Sequence, residues 1–400
     1  MIIYSKPTQQ KKSYNREKIC NGLINEAIMR IAFLCKRHYT GHDVITDRFG
    51  RLYEIPRQLA ELGHTLDVYC VDYYQNDNEG QWQHATSQGE LTWHSKSLGQ
   101  YKQRLLSYPF CLHKVLKTSK PDLIIAASDI PHVVIGSMIA KKLNTPFVAD
   151  LYDNFESFGQ AKIPFFIRGL KWAIQNSQQV ITVSEPLKKF VMDSYSSNTS
   201  VIAIGNGVDI KAFVASDKRA AREKFGLPLD AKLIGTAGGL KKMKGVDDIF
   251  NAWPSLVAKD PSIHLVLAGA EDASLRIPEH PNIHFLGKVP YEDMPVLYSA
   301  LDVGIVTLAD NAFGRYCFPQ KAYEMMACKL PLVATNLSVM PDLLADTPQA
   351  LYQEGNVESF VQAVLWQLGN YQCNTQTPYD WQKLIKRLET ALLVLVVQNS

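Results

Sequence analysis

Residues 318–335, FPQKAYEMMACKLPLVAT, contain a lysine and a glutamate at a spacing that could form part of a site for an anionic ligand. The composition predicts a helix with Pro319 at its first position, followed by a buried strand at 330–334. Lys321 and Glu324 are three apart, so they share one face of this helix near the positive end of its dipole. The pair therefore either faces an anionic ligand or forms a surface ion pair.

A stretch rich in glycine and lysine at 235–245, GTAGGLKKMKG, could bind a phosphate or a diphosphate. It follows an apolar strand pattern and leads into a helical one, which places backbone N–H groups and lysines at a helix N-terminus. The glycines form neither the G-x-G-x-x-G fingerprint nor a P-loop. The alternative is an ordinary strand-to-helix turn with solvated lysines.

Polar residues follow two predicted strands in the first half of the chain. The loop at 38–51 comes after the strand at 30–36, and the acidic stretch DLYDNFE at 150–156 comes after an apolar run. Loops at the carboxyl ends of parallel strands commonly carry ligand sites. These side chains could bind sugar hydroxyls or move a proton, or the acids could cap the next helix. Their spacing matches no metal-binding loop, so we expect no metal. The candidates are His42, Asp43, Arg51, Asp150 and Asp153.

Strand and helix patterns alternate along the chain, which predicts an α/β fold built on parallel sheets. A length of 400 residues with 46% apolar composition exceeds one ordinary core, so we expect two doubly wound domains. We place them at 29–199 and 200–375, with the strand at 201–204 opening the second. An amphipathic closing helix at 376–400 should pack against the protein. Residues 1–28 are predicted to be a polar extension, and either Met1 or Met29 is the true start.

Composition restricts the partners and the compartment. A formal net charge of +3 gives no reason to expect nucleic acid as a partner. The seven cysteines lack C-x-x-C spacing, which argues against a disulfide framework and a zinc site and favours a reducing cytoplasm. No apolar run approaches the roughly 18 residues that span a bilayer. We expect a cytoplasmic protein, either free or attached to the inner face of a membrane through the basic and aromatic stretch at 163–172.

Several segments, taken in order, resemble the retaining GT-B glycosyltransferases of group 1, also called GT4. They are VSEPLKKF at 183–190, VIAIGNGVD at 201–209, the pair KG at 244–245, HLVLAG at 264–269, and residues 282–306 and 318–335. The resemblance implies two Rossmann-like domains facing a central cleft, with acceptor on the first, nucleotide-sugar on the second, and a final helix that crosses back. The implied reaction moves a sugar from a UDP- or GDP-linked donor to a saccharide or lipid-linked acceptor with retention, without metal or further cofactor. Cell-envelope or exopolysaccharide synthesis is its commonest setting.

The resemblance also implies roles for individual residues. Lys244 matches the family lysine that contacts the donor diphosphate. Glu324 matches the second glutamate of the E-x7-E motif, which accepts hydrogen bonds from the donor ribose. The segment around Phe285 and Gly287 would hold the base through backbone groups.

Two positions depart from the family pattern. Tyr316 occupies the position of the first glutamate of E-x7-E. Members of the family often have an arginine before the family lysine, but this chain has Gly238 and Gly239 in that region. The turn at these glycines would bring the backbone close to the phosphates. We assign Phe318, which opens an F-P-x-K-x-x-E form of the motif, to the donor site with Tyr316. Two alternatives stay open: a nucleotide-sugar epimerase, and a non-catalytic nucleotide-sugar-binding protein. Replacement positive charge would come from Lys241, Lys242, Arg315 or Lys321.

Overall fold

The computed structural model describes residues 27–39, 41–74, 79–99, 103–195, 199–272, 275–376 and 378–399. The predicted extension at 1–28 falls almost wholly outside these ranges. The first sheet has eight strands in the order β10-β9-β8-β7-β1-β4-β6-β5, all parallel except β5, which pairs antiparallel with β6. A short hairpin, β2–β3, follows β1. The strands are β1 Arg30–Lys36, β2 His38–Tyr39, β3 His42–Asp43, β4 Thr65–Asp72, β5 Gly80–His84, β6 Glu90–Ser97, β7 Leu123–Ala126, β8 Phe147–Leu151, β9 Gln179–Thr182 and β10 Ser200–Ala203.

Helices cover both faces of this sheet, so its central strands are buried on both sides and are apolar throughout, as in β7. One face packs against the first helix and the last helix of the chain. The other face packs against four helices that lie between them in sequence. The helices are α1 Arg51–Glu61, α2 Tyr108–Ser119, α3 Ile130–Leu143, α4 Phe166–Gln175, α5 Glu185–Tyr195 and, at the other end of the chain, α12 Trp381–Asn399.

The second sheet has six parallel strands in the order β13-β12-β11-β14-β15-β16. Apolar residues of α7 and α11 cover one face, and those of α6, α8, α9 and α10 cover the other. The strands are β11 Lys232–Ala237, β12 Ile263–Ala268, β13 Ile283–Phe285, β14 Val303–Val306, β15 Leu332–Thr335 and β16 Leu351–Tyr352. The helices are α6 Lys218–Lys224, α7 Asp247–Lys259, α8 Met294–Ala300, α9 Gln320–Ala327, α10 Met340–Leu343 and α11 Val357–Asn370. The two sheets confirm the expected pair of Rossmann-like domains.

The strand expected at 201–204 belongs to the first sheet and not to the second. It is β10, and it pairs in parallel register with β9. The sequence pattern locates a strand but does not say which sheet it joins, because that depends on pairing across the chain. The first sheet therefore extends to residue 203, four residues beyond the boundary that we placed at 199.

Two other features differ from the sequence interpretation. Three elements were not predicted, namely β5, β6 and α2. The strand β5 is polar and mostly exposed, and β6 is buried only at alternate positions, so neither forms an apolar run. Pro319 is the residue before α9 and not its first helical position. The closing helix α12 packs its apolar face on α1 and the first sheet, in agreement with the expectation that the final helix crosses back to the first domain.

Candidate functional site

The loops at the carboxyl ends of the two sheets meet each other. The Asn154 side chain, just after β8, donates to the Ala312 carbonyl at 3.1 Å. The Ser184 hydroxyl, just after β9, donates to the Tyr316 carbonyl at 2.7 Å. Parallel sheets place ligands at this edge, so the cleft between the two edges is the candidate site.

The glycine- and lysine-rich loop lies on the second sheet's side of this cleft. It leaves β11 through Gly238, whose φ of 109° favours glycine, and forms a short 3-10 turn at Lys242–Lys244. A Cβ on Gly239 would lie 3.5 Å from the Lys244 Nζ, an ordinary contact distance, so the ammonium group of Lys244 lies beside this loop. Burial lowers the pKa of Lys244, as does the neighbouring charge of Lys241, while Asp153 raises it.

The helix after this loop begins at Asp247, later than the pattern at 235–245 indicated. Its first turn carries Asp247 and Asp248, and the Asp248 carboxylate accepts from the Gly355 amide at 3.1 Å. These acids already complement the positive end of the helix dipole. An anion in the cleft would therefore meet the loop amides and Lys244, and not the end of α7.

Lys321 and Glu324 do not form a surface ion pair. The Lys321 ammonium donates to the Thr236 hydroxyl at the end of β11, at 2.9 Å. Burial, and next the charge of Lys244, lower the pKa of Lys321 to about 7. Two ammonium groups therefore lie close together at the carboxyl edge of the second sheet.

Glu324 is only 7% exposed, and its two carboxylate oxygens accept hydrogen bonds from two tyrosines. The Tyr291 hydroxyl donates at 3.2 Å and the Tyr298 hydroxyl at 3.1 Å. Burial raises the pKa of Glu324, and these hydrogen bonds oppose the rise. A carboxylate can accept about four hydrogen bonds, so capacity for a ligand hydroxyl remains.

Asp153, on the first domain, lies near Lys244 of this pair. Burial raises the pKa of Asp153 to about 7, opposed by the Asn154 amide and by the charges of Lys244 and Lys36. Its Oδ1 is buried without a hydrogen-bond partner. Lys36, at the end of β1, donates to the Tyr152 hydroxyl at 3.1 Å. The two domains therefore bring a carboxyl group and three ammonium groups to one cleft.

Arg51 and Asp150, both assigned to the acceptor, bind each other instead. Both side chains are fully buried, and the Arg51 guanidinium donates to both oxygens of Asp150, with a closest distance of 2.7 Å. Arg51 also donates to the carbonyls of Ile204 and Gly205, just after β10. The pair thus secures the chain where it leaves the first sheet. Sequence reasoning missed this because each residue stands alone in its own segment.

The two other candidates of the same loop have different surroundings. The Asp43 carboxylate accepts from Arg37 at 2.7 Å and from the Ile45 amide at 2.9 Å, so it stabilises the β2–β3 hairpin. His42 is partly exposed and stacks on Phe49 with ring centroids 4.2 Å apart. Phe49 in turn contacts Tyr291 of the second domain, which places His42 at the rim of the cleft.

Three residues assigned to the donor make contacts outside the lysine pair. Arg315 is exposed and pairs with Asp310. Tyr316 packs against Phe190 of the first domain, with centroids 4.8 Å apart. Phe318 stacks on a tyrosine of α9, and a Cβ on Gly205 would lie 2.5 Å from its ring. The loop at 309–318 therefore holds the domains together, which motif alignment could not reveal.

The remaining donor candidates lie at the strand ends, as expected of backbone contacts to a base. Phe285 ends β13 and is 42% exposed. The Gly287 carbonyl accepts from the Gly269 amide at 2.6 Å, which ties this segment to the end of β12. Over the described parts of the chain, no three His, Cys, Asp or Glu side chains form a group that could hold a metal ion.

Sequence reasoning missed several side chains of the cleft. Lys36 could have been found, because it is the first charge after a fully apolar strand and so lies at its carboxyl end. Thr236, Tyr291 and Tyr298 carry no such signal. Their hydroxyls contact Lys321 and Glu324 only because β11, α8 and the turn before α8 lie beside α9 in the fold.

Comparisons with known proteins agree with this architecture. The family model "Glycosyltransferase Family 4" matches residues 51–212, and "Glycosyl transferases group 1" matches residues 231–370. A D-inositol 3-phosphate glycosyltransferase of Corynebacterium urealyticum is 26% identical over 276 residues, which cover 62% of this chain and 64% of that protein. The match thus spans less than two thirds of the relative's length.

Solved structures show the same fold. Sucrose-phosphate synthase of Thermosynechococcus elongatus superposes with a TM-score of 0.67 at 16% identity, over 92% of this chain and 97% of that one. Anabaena HepE in complex with UDP and glucose superposes with a TM-score of 0.65 at 17% identity, over 91% and 99%. The chain therefore belongs to the group 1, or GT4, glycosyltransferase family with the GT-B fold.

Proposed function

We propose that this chain transfers a sugar from a nucleoside-diphosphate sugar to a saccharide or lipid-linked acceptor, with retention of anomeric configuration. One observation carries the proposal: Lys244 and Lys321 bring two partly buried ammonium groups together, and Lys321 donates to a neutral hydroxyl and not to a carboxylate. Like charges brought together at the cost of desolvation are best stabilised by an anion. A diphosphate supplies one.

The transfer breaks the bond between the anomeric carbon of the sugar and the phosphate oxygen. Negative charge then develops on the leaving diphosphate, where Lys244, Lys321 and the amides after Gly238 stabilise it by several kcal/mol per well-placed group. The acceptor hydroxyl attacks from the face that the leaving group vacates, and its proton passes to the leaving phosphate oxygen. In this mechanism the lysines neutralise the diphosphate without a metal.

The other residues of the cleft position the two substrates. Glu324 accepts hydrogen bonds from the donor ribose, and the backbone around Phe285 and Gly287 holds the base. Asp153 faces the sugar and the acceptor from the first domain. His42 contacts the acceptor at the rim of the cleft.

The preferred base and the cellular setting are further parts of this proposal. The complex of HepE with UDP and glucose favours UDP over GDP. A lipid-linked acceptor would place the enzyme in the cytoplasm, peripherally on the inner face of the membrane, in cell-envelope or exopolysaccharide synthesis. The relatives are described as glycosyltransferases or synthases and favour neither the epimerase nor the non-catalytic alternative.

Thermal unfolding with UDP, GDP and ADP, each with and without an attached sugar, tests donor binding. A ligand at 100 times its dissociation constant adds about 2.7 kcal/mol to the free energy of unfolding. We expect a selective rise with UDP or a UDP-sugar, followed by sugar transfer to an acceptor panel. No rise with any nucleotide would refute the donor assignment, and donor turnover without any acceptor would favour an epimerase.

A further inference from the structure

A cavity of about 260 Å³ lies at the amino-terminal edge of the second sheet, at the opposite end of the strands from the cleft. Its wall includes Leu301 and Asp302, which come directly before β14, and Leu330 and Pro331, which come directly before β15. These strands are parallel, so their carboxyl ends lie together at the other edge of the sheet. Among the described parts of the chain, none of the residues that we assigned to the donor or the acceptor lines this cavity. The cavity is therefore separate from the candidate site.

The inner wall of the cavity is apolar, and an aromatic ring stands at its opening. Leu301, Leu330 and Tyr298 line the cavity and are buried. Tyr371, on the same wall, is 48% exposed, and the Lys218 ammonium lies 6.0 Å from the centroid of its ring. Small-molecule sites are mostly apolar cavities with a few polar groups that fix the orientation of the ligand. This wall suits a flat apolar group, such as an aromatic ring, that packs against Tyr371.

The polar groups around the cavity carry an excess of positive charge. The Asp302 carboxylate accepts from Lys218 and from Arg222, each at 2.8 Å, so its charge is already neutralised. Lys329 also lines the cavity and is exposed. Burial raises the pKa of the Cys373 thiol, and the charges of Lys329 and Lys218 oppose the rise, which places both ammonium groups near this wall. Three cations are offset by one carboxylate, so an anionic group on a ligand would complement them.

The wall of the cavity is connected to Glu324, which we assigned to the donor ribose. The Tyr298 ring lines the cavity, and its hydroxyl donates to the Glu324 carboxylate at 3.1 Å. Cys328 also lines the cavity, and its amide donates to the Glu324 carbonyl at 3.2 Å where α9 ends. A molecule in the cavity would therefore contact a side chain that bonds Glu324 and the end of the helix that carries Glu324.

We propose that this cavity is a regulatory site for a small organic anion with an aromatic body, and that its occupant raises the affinity of the donor site. The ring of the ligand packs between Tyr371 and the apolar wall, and its anionic group binds Lys218 and Lys329. Packing against Tyr298 holds that hydroxyl on Glu324, so less freedom is lost when the nucleotide binds. The effect on the donor rests on the proposed function, whereas binding to the cavity does not.

Protection of Cys373 from alkylation tests binding at the cavity. Cys373 is exposed and lines the cavity, whereas Cys111, also exposed, lies on α2 of the first domain and is a control within the same molecule. The full chain is treated with N-ethylmaleimide, and mass spectrometry quantifies alkylation of each cysteine. We expect benzoate to slow alkylation of Cys373 in a saturable manner and to leave Cys111 unchanged. Benzyl alcohol, which has the ring without the charge, should bind roughly fivefold more weakly. Acetate, which has the charge without the ring, should not protect.

The double variant K218Q/K329Q tests the contribution of the two charges. Each variant is compared with its own alkylation rate in the absence of ligand, because the lysines also affect the reactivity of the thiol. In this variant benzoate should protect Cys373 only as weakly as benzyl alcohol does. The bond between Arg222 and Asp302 remains, so the domain should stay folded.

The double variant K224Q/K259Q is the matched control. Lys224 and Lys259 are about as exposed as Lys218 and are likewise paired with a carboxylate, but they do not line the cavity. This variant should leave protection by benzoate unchanged. Tyr371→Asn removes the aromatic ring, and asparagine tolerates the left-handed φ of 48° at this helix end. It should weaken benzoate and benzyl alcohol alike.

Calorimetric titration of UDP tests the connection to the donor site. Saturating benzoate should raise the affinity for UDP about fivefold, and UDP must raise the affinity for benzoate by the same factor, because coupling between two sites is reciprocal. Tyr298→Phe keeps the ring in the cavity and removes the hydroxyl that bonds Glu324. In this variant benzoate should still protect Cys373, while the coupling to UDP disappears.

Three outcomes would overturn the proposal. They are equal protection of Cys373 and Cys111, equal loss of protection in the two double variants, and a loss of UDP affinity caused by benzoate, which would place benzoate beside Lys244 and Lys321. Protection of Cys373 without any change in the affinity for UDP rejects the regulatory role. Protection of Cys373 in a protein that binds no nucleotide rejects the proposed function and leaves the cavity as a binding site.

Discussion

The pKa of Lys321 leads to a prediction about proton uptake on nucleotide binding. With a pKa of about 7, only about a tenth of the Lys321 side chains carry a proton at pH 8 before the ligand arrives. A diphosphate next to the amine stabilises the ammonium form and raises this pKa well above 8. UDP itself is fully ionised at pH 8, because the second pKa of a phosphate is near 6. Binding should therefore take up about 0.9 proton.

Isothermal titration calorimetry in HEPES and in Tris measures this uptake, because the two buffers release protons with different enthalpies. Lys321→Arg keeps the charge at every accessible pH, so it should bind UDP at pH 8 without the proton uptake that Lys321 contributes. Lys321→Met should bind more weakly and should also lack that contribution. Above pH 7, wild-type affinity should fall by up to tenfold per pH unit, while the affinity of the Arg variant stays flat.

A second group in the cleft requires a control. Asp153 also has a pKa of about 7, and a nearby diphosphate would raise it and so add proton uptake near neutrality. At pH 8 about nine tenths of the Asp153 carboxyls are ionised and can therefore take up a proton when the ligand binds. Asp153→Asn removes this source of uptake and leaves that of Lys321. Uptake that persists in Lys321→Met and disappears in Asp153→Asn would refute the assignment to Lys321. Equal heats in both buffers for the wild type would refute the reasoning altogether.

The same shift affects the stability of the unliganded protein. The pKa of Lys321 is about 10.4 in the unfolded chain, whereas it is about 7 in the folded chain. Between these values the unfolded state binds more protons, so this residue makes folding more favourable as pH rises, by about 1.4 kcal/mol per pH unit. Lys321→Met should remove that slope, which thermal or urea unfolding across pH 7 to 9 would show.

Three further predictions concern single substitutions. Lys244→Ala should lower kcat/KM for sugar transfer by about two orders of magnitude or more, because its charge acts on the leaving diphosphate; steady-state kinetics measure this. Glu324→Gln should weaken UDP binding roughly tenfold and leave the thermal midpoint nearly unchanged, since the amide oxygen still accepts from a tyrosine. Arg51→Met should lower the free energy of unfolding by about 3 to 5 kcal/mol, because it leaves the buried Asp150 carboxylate unpaired.

Each of these predictions has its own control. Lys241 is exposed, so Lys241→Ala should change transfer much less than Lys244→Ala, and equal losses would argue for a general effect of charge. A Glu324→Gln protein that unfolds without cooperativity would show that Glu324 is structural. If Arg51→Met changes the KM for the acceptor and does not lower the free energy of unfolding, Arg51 contacts the acceptor and does not act mainly through Asp150.

Much of the fold follows from local pattern. Apolar runs such as residues 123–126, flanked by helical spacing, predict parallel strands buried on both sides, and the structure has them. The glycine- and lysine-rich loop was located from its composition and its position after a strand. The strand β10 was assigned to the wrong sheet and β5 was missed, because pairing partners and exposed strands leave little trace in local composition.

Sequence by itself identified the residue types that can bind a nucleotide-sugar and the order in which they occur. Local spacing singled out Lys321 and Glu324 near a helix start, whereas the family resemblance singled out Lys244 among the lysines of its loop. Tertiary structure decided which candidates meet: Asp153 lies near Lys244, while Arg51 and Asp150 form a buried ion pair with each other. The physical reason is distance along the chain. Desolvation and charge pairing depend on neighbours that folding brings from about a hundred residues away, and no local pattern encodes them.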